Sequence, residues 1–194
     1  MDLVFATNNQ HKIKEIKNLI GEEFNIKSLG DIGFFDEIPE TKMTIEGNAS
    51  QKSFFIYDKY KINCFADDTG LEIKSLNGRP GVFSARYASD ECDFNKNMNR
   101  VLDELKGKDD RSARFRTIIS LIIDGEEKTF EGIVNGKIIK RKKGKDGFGY
   151  DPIFLPDDYD LTFAEMSLAE KNIISHRARA SKRLVEYLNS FRTQ

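Results

Sequence analysis

The sequence is poor in the residues that build disulfide scaffolds and zinc sites. Its 194 residues include two cysteines and two histidines. Cys64 and Cys92 have no CxxC spacing, so we expect no disulfide framework and predict a reducing, cytoplasmic location. Because His11 and His176 are the only histidines, a histidine-based zinc site is not expected. No Ser-His-Asp or Cys-His catalytic set can be assembled either.

Long apolar runs and excess charge are also missing. The longest apolar-rich run, at 118–123, is far shorter than the ~20 residues that span a bilayer. The first residues, MDLVFATNN, lack the pattern of a signal peptide. Lys and Arg total 31 against 32 Asp and Glu, which leaves a net charge of −1. Nothing in that balance requires a nucleic-acid or membrane partner, and we predict neither.

The apolar pattern predicts an α/β fold, in a single domain over 1–194. The run at 3–6 indicates a buried strand, and Ile13, Ile16 and Ile20 then lie on one helical stripe. A strand, a polar loop and a helix in that order begin an α/β unit. The length suits one large domain or two small lobes, and it is sufficient for a sizeable core.

The rest of the pattern predicts about four helices and six or more strands. Helices are expected at 44–60, at 93–105 and from a capping box at Ser167 through Leu188. Strands are expected at 25–29, in two pieces within 64–73 and at 114–124. Hairpin turns are expected at Asp124-Gly125 and Asn135-Gly136. The strand–helix openings favour parallel pairing, and the hairpins add antiparallel pairing.

The segment CFADDTGLEI, at 64–73, places two carboxylates directly after an apolar strand. Mg²⁺ prefers oxygen ligands and needs one or two from protein when a substrate phosphate supplies others. Neighbours in extended backbone point to opposite faces, so at most one of Asp67 and Asp68 can aim into any one cleft. A further acid is then needed, and Glu40 and Glu37 are the candidates. The alternative is a solvated acidic turn bonded to backbone.

The loop TNNQHK, at 7–12, links the first predicted strand to a helix. Free N–H groups and the helix dipole favour a phosphate at such a point. Lys12 opposes the dipole there, which indicates a nearby anion. The alternative is an ordinary turn with an N-cap Asn. The loop is not a P-loop, because GxxxxGK[ST] is absent.

Two later segments combine aromatic and basic groups. In DGFGYDPIF, glycines flank Phe148, whose ring is suited to stacking on a flat ligand, unless Phe148 and Tyr150 are buried in a tight turn. In AEKNIISHRARA, His176 and Arg177 follow Lys171. Arginine donates a fork of hydrogen bonds that suits a carbonyl or phosphate. The alternative is an exposed helix face rich in bases.

Taken in order, these segments resemble the inosine triphosphate pyrophosphatase family. The matching stretches are FATNNQHKIKEI, IPETKMTIEGNASQK, FADDTGLEI, LNGRPGVFSARY, DGFGYDPIF and AEKNIISHRARA. The resemblance implies hydrolysis of the noncanonical nucleotides ITP, dITP and XTP to the monophosphate and pyrophosphate with Mg²⁺. This activity removes deaminated purines from the nucleotide pool. It also implies an elongated mixed β-sheet flanked by helices, two lobes around a central nucleotide cleft, and a homodimer.

The resemblance also implies roles for particular residues. Glu40 and Asp68 are the expected metal ligands, and Asp68 is the expected catalytic proton acceptor. Lys12 and Lys52 are expected to meet the phosphates. Phe148 is expected to stack on the purine. The other expected substrate contacts are Thr7, Asn8, Asn9, Gln10, His11, Thr69, Gly149, Tyr150 and Asp151, together with the base-recognition residues Lys171, His176 and Arg177. The separate role of Asp67 stays open.

Three positions depart from the family pattern, and two alternative functions remain. Asn8 stands where many relatives carry Gly, Gly47 where an acid is common, and Thr69 where Ser is frequent. A Maf-like nucleotide pyrophosphatase of other base preference is one alternative, which the SHR and FGYD motifs disfavour. A non-catalytic nucleotide or nucleic-acid binding module using the basic run at 137–145 is the other. The near-zero net charge and the intact acid set disfavour that module.

Overall fold

A computed structural model describes residues 2–20 and 24–191 of the chain. Its α-helices are α1 (Gln10–Ile20), α2 (Ile45–Tyr60), α3 (Phe94–Glu104), α4 (Leu168–Ile174) and α5 (His176–Ser190). Its β-strands are β1 (Asp2–Phe5), β2 (Asn25–Lys27), β3 (Cys64–Ile73), β4 (Pro80–Gly81), β5 (Ser112–Ile123), β6 (Glu126–Ile138) and β7 (Phe154–Pro156). The prediction of an α/β fold is confirmed. Among these described stretches, no helix combines the length and apolar character needed to cross a bilayer.

The strands form one mixed sheet in the order β2-β1-β3-β5-β6-β7, with β4 paired to β3. β1 runs parallel to β2 and to β3, where Val4 lies opposite Cys64. β4 is antiparallel to β3, and β7 is antiparallel to β6. The predicted mixture of parallel and antiparallel pairing is therefore present. The parallel register also carries the loop after β1 alongside the acidic part of β3, since the Ala6 N–H donates to the Phe65 carbonyl at 2.7 Å.

The chain divides into two compact units. The first comprises Met1–Asp68, Thr117–Gly132 and Arg177–Gln194, and the second comprises Thr69–Arg116 and Ile133–His176. β3, β5 and β6 each contribute residues to both units. The acidic segment therefore belongs to the first unit and the FGYD segment to the second.

Two apolar clusters of the first unit are built on alternate residues of β1 and β3. Phe5 and Phe65 stack at 4.6 Å between ring centroids and pack with apolar residues of α1 and α5. Val4 and Cys64 instead pack with Ile56 of α2. Because neighbouring strand residues point to opposite faces, the two acids that continue β3 are directed towards different helices.

The second unit has its own apolar core. β3 contributes Leu71 and Ile73 to it, and α3 contributes Met98 and Val101. The α3 stripe recurs at three- and four-residue intervals, as the sequence predicts. Asp93 caps this helix by accepting from the N–H groups of the second and third helical residues.

The expectation of two strands in CFADDTGLEI is wrong. β3 runs without interruption for ten residues, and Gly70 lies within it. Pairing explains the continuity, because the first part of β3 pairs with β1 and Leu71 lies opposite Gly81 of β4. The acids therefore lie within a strand, and the alternative of a solvated acidic turn is wrong too.

The hairpin expected at Asn135-Gly136 is also wrong, because β6 continues to Ile138. Gly136 lies opposite Pro156 of β7, and a Cβ on it would come within 2.3 Å of the Leu155 carbonyl oxygen. Here the glycine permits a close approach of two strands. The Asp124-Gly125 turn, by contrast, links β5 to β6, with both residues at positive φ.

The C-terminal helix is two helices where the sequence predicts one. The capping box at Ser167 is present and begins α4. Ser175 then adopts φ −64° and ψ 156°, an extended conformation that separates α4 from α5. Apolar residues recur at helical spacing on both sides, so the periodicity does not reveal the break. The division between units falls immediately afterwards, between His176 and Arg177.

Candidate active site

The two acids of β3 have different partners, as expected for neighbours in a strand. The Asp67 carboxylate forms an ion pair with the Lys12 ammonium at 2.9 Å and accepts a hydrogen bond from Nε of Arg177 at 3.1 Å. Asp68 instead lies 3.5 Å from the ammonium of Lys52. Lys12 belongs to α1 and Arg177 to α5, whereas Lys52 belongs to α2. Asp67 thus lies on the face of β3 that packs against α1 and α5, and Asp68 lies on the face that packs against α2.

Asp67 is the centre of a buried ion network. It is 1 % exposed, and Arg177, also 1 % exposed, bonds to Glu15 of α1 through a second nitrogen. Burial alone would raise the pKa of Asp67, but the attraction of Lys12 and Arg177 outweighs burial and holds the pKa well below its usual range. Asp67 is therefore ionised and serves as the shared counterion of two cations. This is the role that the sequence leaves open.

Asp68 has a different environment. It is buried, and this burial raises its pKa against the opposing attraction of Lys52 and Lys12. Oδ1 faces the Lys52 ammonium, but Oδ2 is buried and accepts no hydrogen bond from any residue that the structure describes. A buried carboxylate oxygen without a donor is costly. Such an atom indicates a site prepared for a ligand.

Lys52 links the second carboxylate to this site. Its ammonium donates to Glu40 and also contacts Asp68. Burial would lower the pKa of Lys52, but attraction by Asp68 and Glu40 outweighs burial and raises it. Lys12 differs, because burial lowers its pKa despite the attraction of Asp67. Of the two acids considered from the sequence, Glu40 rather than Glu37 is thus the one that shares a lysine with Asp68.

The loop before α1 is folded by its own polar groups. Asn9 Oδ1 accepts from the N–H groups of His11 at 3.0 Å and Lys12 at 3.2 Å. Thr7 Oγ1 accepts from the Asn9 N–H at 3.2 Å. Asn9 therefore caps the helix, as in the alternative interpretation of this loop. The cap also fixes the start of α1, from which the Lys12 side chain reaches Asp67.

Three other expected substrate contacts lie near these groups in the sequence. The side-chain amide of Asn8 donates to the Asp36 carbonyl at 3.1 Å, which ties the loop to the segment before Glu40. Gln10 is the first residue of α1 and is exposed. Thr69 is half-buried and is the first residue of the second unit.

The second unit contains a cluster around a buried carboxylate. Asp151 Oδ2 accepts from the Phe148 N–H at 2.9 Å and from the Lys171 ammonium at 2.7 Å. The same ammonium lies 5.1 Å from the centroid of the Phe148 ring and 5.6 Å from that of Phe163. An ammonium at such distances interacts favourably with an aromatic ring. Two aromatic rings, Phe148 and Phe163, thus flank the buried ion pair of Asp151 and Lys171.

The expected contacts around this cluster divide into buried and accessible groups. The His176 ring stacks on Phe115 at 4.6 Å and is buried. Tyr150 is part of the apolar core, where its hydroxyl donates to the Ser84 carbonyl and burial raises its pKa. Tyr150 therefore follows the buried alternative. Gly149 next to it has a positive φ of 65°, which favours glycine.

The three basic residues predicted to recognise the base fall in different surroundings. Lys171 and His176 belong to the second unit, and Arg177 to the first. All three are buried, so the alternative of an exposed basic helix face is wrong. The structure brings Lys171 together with the Phe148 ring, whereas it brings Arg177 together with the carboxylates of Asp67 and Glu15.

Sequence reasoning missed two residues of these clusters. Glu15 lies three residues after Lys12 on the same face of α1, and that spacing is the signal that could have identified it. Phe94, at the start of α3, has its ring centroid 6.2 Å from that of Phe148. No local pattern connects these two phenylalanines, because 54 residues separate them along the chain.

These features define an α/β protein in which lysines and carboxylates cluster around the parallel pair β1 and β3. The chain belongs to the Ham1 family, whose sequence model matches residues 3–187. The family membership that the motifs indicate is thereby confirmed.

Individual relatives match over nearly their whole length. The chain is 51 % identical to a dITP/XTP pyrophosphatase of Flavobacterium psychrophilum, covering 98 % of this chain and 100 % of the relative. It is 47 % identical to the dITP/XTP pyrophosphatase of Bacillus subtilis, covering 97 % and 98 %. Among solved structures, the Staphylococcus aureus Ham1 protein matches with a TM-score of 0.89 at 39 % identity, covering 98 % of this chain and 99 % of that chain. A HAM1 protein from Coxiella burnetii matches with a TM-score of 0.90 at 34 % identity and the same coverage.

Proposed function

We propose that this protein hydrolyses ITP, dITP and XTP to the monophosphate and pyrophosphate, and so removes deaminated purines from the nucleotide pool. The observation that carries the proposal is the buried Asp68 carboxylate: Oδ2 lacks a donor among the described residues, and Oδ1 lies 3.5 Å from the Lys52 ammonium. The name of the two relatives above, dITP/XTP pyrophosphatase, supports dITP and XTP among these substrates. The Ham1 match favours this activity over that of the Maf-like group.

The acids fit a hard divalent cation. No group of three or more His, Cys, Asp or Glu suited to a metal is found within residues 2–20 and 24–191. Mg²⁺ commonly needs only one or two protein carboxylates when substrate phosphates and water supply the other ligands. Asp68, with its buried oxygen, and Glu40, which shares Lys52 with it, are the proposed ligands. When bound, the ion would neutralise charge developing on the phosphates.

The protein's own groups perform the remaining tasks. Asp68 orients the attacking water and accepts its proton, for which its raised pKa is suitable. Lys12 and Lys52 neutralise phosphate charge. Attack occurs at the α-phosphorus, because pyrophosphate is the leaving group. Thr7 through His11 and Thr69 are proposed to line the phosphate and sugar part of the substrate.

Base recognition is assigned to the second cluster and to Arg177. Phe148 and its neighbours through Asp151 form the stacking segment. Lys171, His176 and Arg177 supply donors to the 6-carbonyl that hypoxanthine and xanthine share. Adenine presents an amino donor at that position, so it would place a donor opposite these donors where hypoxanthine and xanthine place an acceptor, and such a mismatch discriminates strongly. Guanine has the same 6-carbonyl, and its rejection must come from the 2-position.

The oligomeric state, the location and the partners complete the proposal. The protein is a homodimer, acts in the cytoplasm where its substrates form, and needs no nucleic-acid or membrane partner. A mass near twice 22.2 kDa by light scattering is the expected result. A monomer at micromolar concentration would contradict the dimer without affecting the proposed chemistry.

The substrate panel tests the activity itself. Pyrophosphate release is measured from ITP, dITP, XTP, GTP and ATP with Mg²⁺, and repeated with EDTA. Release from ITP, dITP and XTP, little from GTP and ATP, and none with EDTA is expected. Equal turnover of ITP and ATP would refute base selection. No turnover of any nucleotide would favour the non-catalytic binding module.

A further inference from the structure

Asp151 lies where three constraints meet in the second unit. Its Oδ2 accepts from the Phe148 N–H at 2.9 Å and from the Lys171 ammonium at 2.7 Å. A Cβ on Gly147 would come within 2.1 Å of the same oxygen, so the glycine leaves the space that Oδ2 occupies. Asp151 is 2 % exposed and Lys171 is 3 % exposed. The carboxylate is therefore enclosed by protein and is poorly placed to touch a ligand directly.

The buried pair has an electrostatic consequence for the neighbouring ring. The Lys171 ammonium lies 5.1 Å from the Phe148 ring centroid, and Asp151 lies directly on that ammonium. In a poorly solvated site, a lone cation would attract an anion strongly. A carboxylate at 2.7 Å offsets most of that attraction. This ion pair therefore contributes little net charge beside the Phe148 ring.

The two proposed base types differ in charge. Hypoxanthine is neutral at neutral pH, whereas xanthine in a nucleotide loses a ring proton near neutrality and becomes anionic. Both carry the 6-carbonyl, so donors to that oxygen cannot tell them apart. The net charge of the groups beside the base can do so, because specificity is a difference between two affinities.

We propose that Asp151 is a specificity-determining residue, which balances the charge of Lys171 and thereby limits the preference for anionic xanthine over neutral hypoxanthine. The inference rests on the proposed function, because it needs a purine base at Phe148. Asp151 acts through Lys171 and is a positioning residue. It has a second task, since its bond to the Phe148 N–H fixes the segment that carries the stacking ring.

Two single variants and their double variant separate the effect of Asp151 on charge from its effect on the position of Phe148. Asp151→Asn removes the negative charge but retains an oxygen that can accept from the Phe148 N–H. Lys171→Met removes the positive charge while keeping an unbranched side chain. The double variant removes both charges and restores the balance. Asp146→Asn makes the same chemical change at an exposed position of the same segment and is the matched control.

The measured quantity is kcat/KM for XTP divided by kcat/KM for ITP, at a pH where the xanthine base is anionic. Asp151→Asn is expected to raise this ratio roughly tenfold, and Lys171→Met to lower it to a similar degree. The double variant should return to within about twofold of wild type, and Asp146→Asn should not move the ratio. If Asp151 had a purely structural role, its substitution would reduce kcat/KM for XTP and for ITP by the same factor.

Failure of the charge-balance inference and failure of the proposed function give different results. An unchanged ratio in Asp151→Asn, with both substrates reduced in proportion, would overturn the charge balance and leave Asp151 as a loop anchor only. Should either single variant fail to fold in a thermal melt, the double variant and the other single variant decide, because opposite shifts are required of the two charges. A wild-type protein that hydrolyses neither ITP nor XTP contradicts the proposed function rather than this inference.

Discussion

At the scale of single residues, Asp67 and Asp68 show how one strand separates two chemistries. Asp67 is saturated by Lys12 and Arg177, which lowers its pKa, whereas burial raises the pKa of Asp68 and one of its oxygens lacks a described donor. Alternation along β3 alone assigns them to different helices. The neighbouring acids therefore cannot substitute for each other.

We expect Asp68→Asn to reduce ITP turnover by about a hundredfold to ten-thousandfold, because asparagine can neither accept the water proton nor offer a charged oxygen to a cation. The fold should persist, since the amide has nearly the same volume and sits beside Lys52. Pyrophosphate release and a thermal melt measure the two effects. Glu37→Gln is the control, and near-normal turnover of Asp68→Asn would exclude it as the proton acceptor.

For Arg177, the structure predicts more than the sequence does. The base-recognition role that the resemblance implies would make Arg177→Ala affect ITP turnover far more than stability. The guanidinium is fully buried against Asp67 and Glu15, so its loss leaves two buried carboxylates without their shared cation. We expect a loss of about 3–5 kcal/mol in the free energy of unfolding, as when one partner of a buried pair is removed.

Urea unfolding of Arg177→Ala tests this, with Lys182→Ala as an exposed cation on the same helix. The control is expected to change stability by less than about 0.5 kcal/mol. A normal unfolding curve for Arg177→Ala, together with lost ITP turnover, would instead support a role confined to base recognition.

At the scale of secondary structure, local sequence patterns predict the elements correctly except where pairing with a strand distant in sequence decides the outcome. Asp124-Gly125 and Asn135-Gly136 are equivalent hairpin signals, yet only the first forms a turn between strands. At Gly136 the approach of β7 decides the outcome. The partner strand lies about twenty residues further along, so no window around Gly136 contains that information. The break at Ser175 is hidden in the same way by a continuous apolar period.

Gly136→Ala is expected to destabilise the protein by about 1–3 kcal/mol, the usual cost of overpacking. The added Cβ meets the Leu155 carbonyl oxygen at 2.3 Å, and a backbone oxygen cannot move aside as a flexible side chain can. Gly30→Ala is the matched control, because its nearest neighbour would lie at an ordinary 3.7 Å. Equal melting temperatures for the two variants would show that β7 adapts without cost.

At the scale of the whole chain, the contacts that define the candidate site join distant residues. Arg177 lies 110 positions from Asp67 and 162 from Glu15. Residue types and their order indicate the family, and the family implies Lys12, Lys52 and Asp68. Which of the buried cations neutralises which acid depends on how helices α1, α2 and α5 pack on the sheet. That information is not present in any single motif.

Ligand binding should increase the free energy of unfolding of the whole protein. A ligand that binds only the folded state at about 100 times its Kd adds about 2.7 kcal/mol to the free energy of unfolding. We expect this gain from a non-hydrolysable ITP analogue with Mg²⁺, because only folding brings Asp68 and Lys52 together. The matching ATP analogue at the same concentration should add much less, since its 6-amino group places a donor opposite the donors that are proposed to meet the 6-carbonyl.

Chemical unfolding at a fixed analogue concentration, with and without EDTA, measures the gain. Asp68→Asn should lose the part that depends on Mg²⁺ and retain discrimination between the two bases, because metal and base are assigned to different residues. Equal stabilisation by both analogues would locate selectivity in the chemical step instead of in binding. Loss of discrimination in Asp68→Asn would mean that recognition of the base depends on the metal-binding carboxylates, contrary to the separate roles proposed for Asp68 and Lys171.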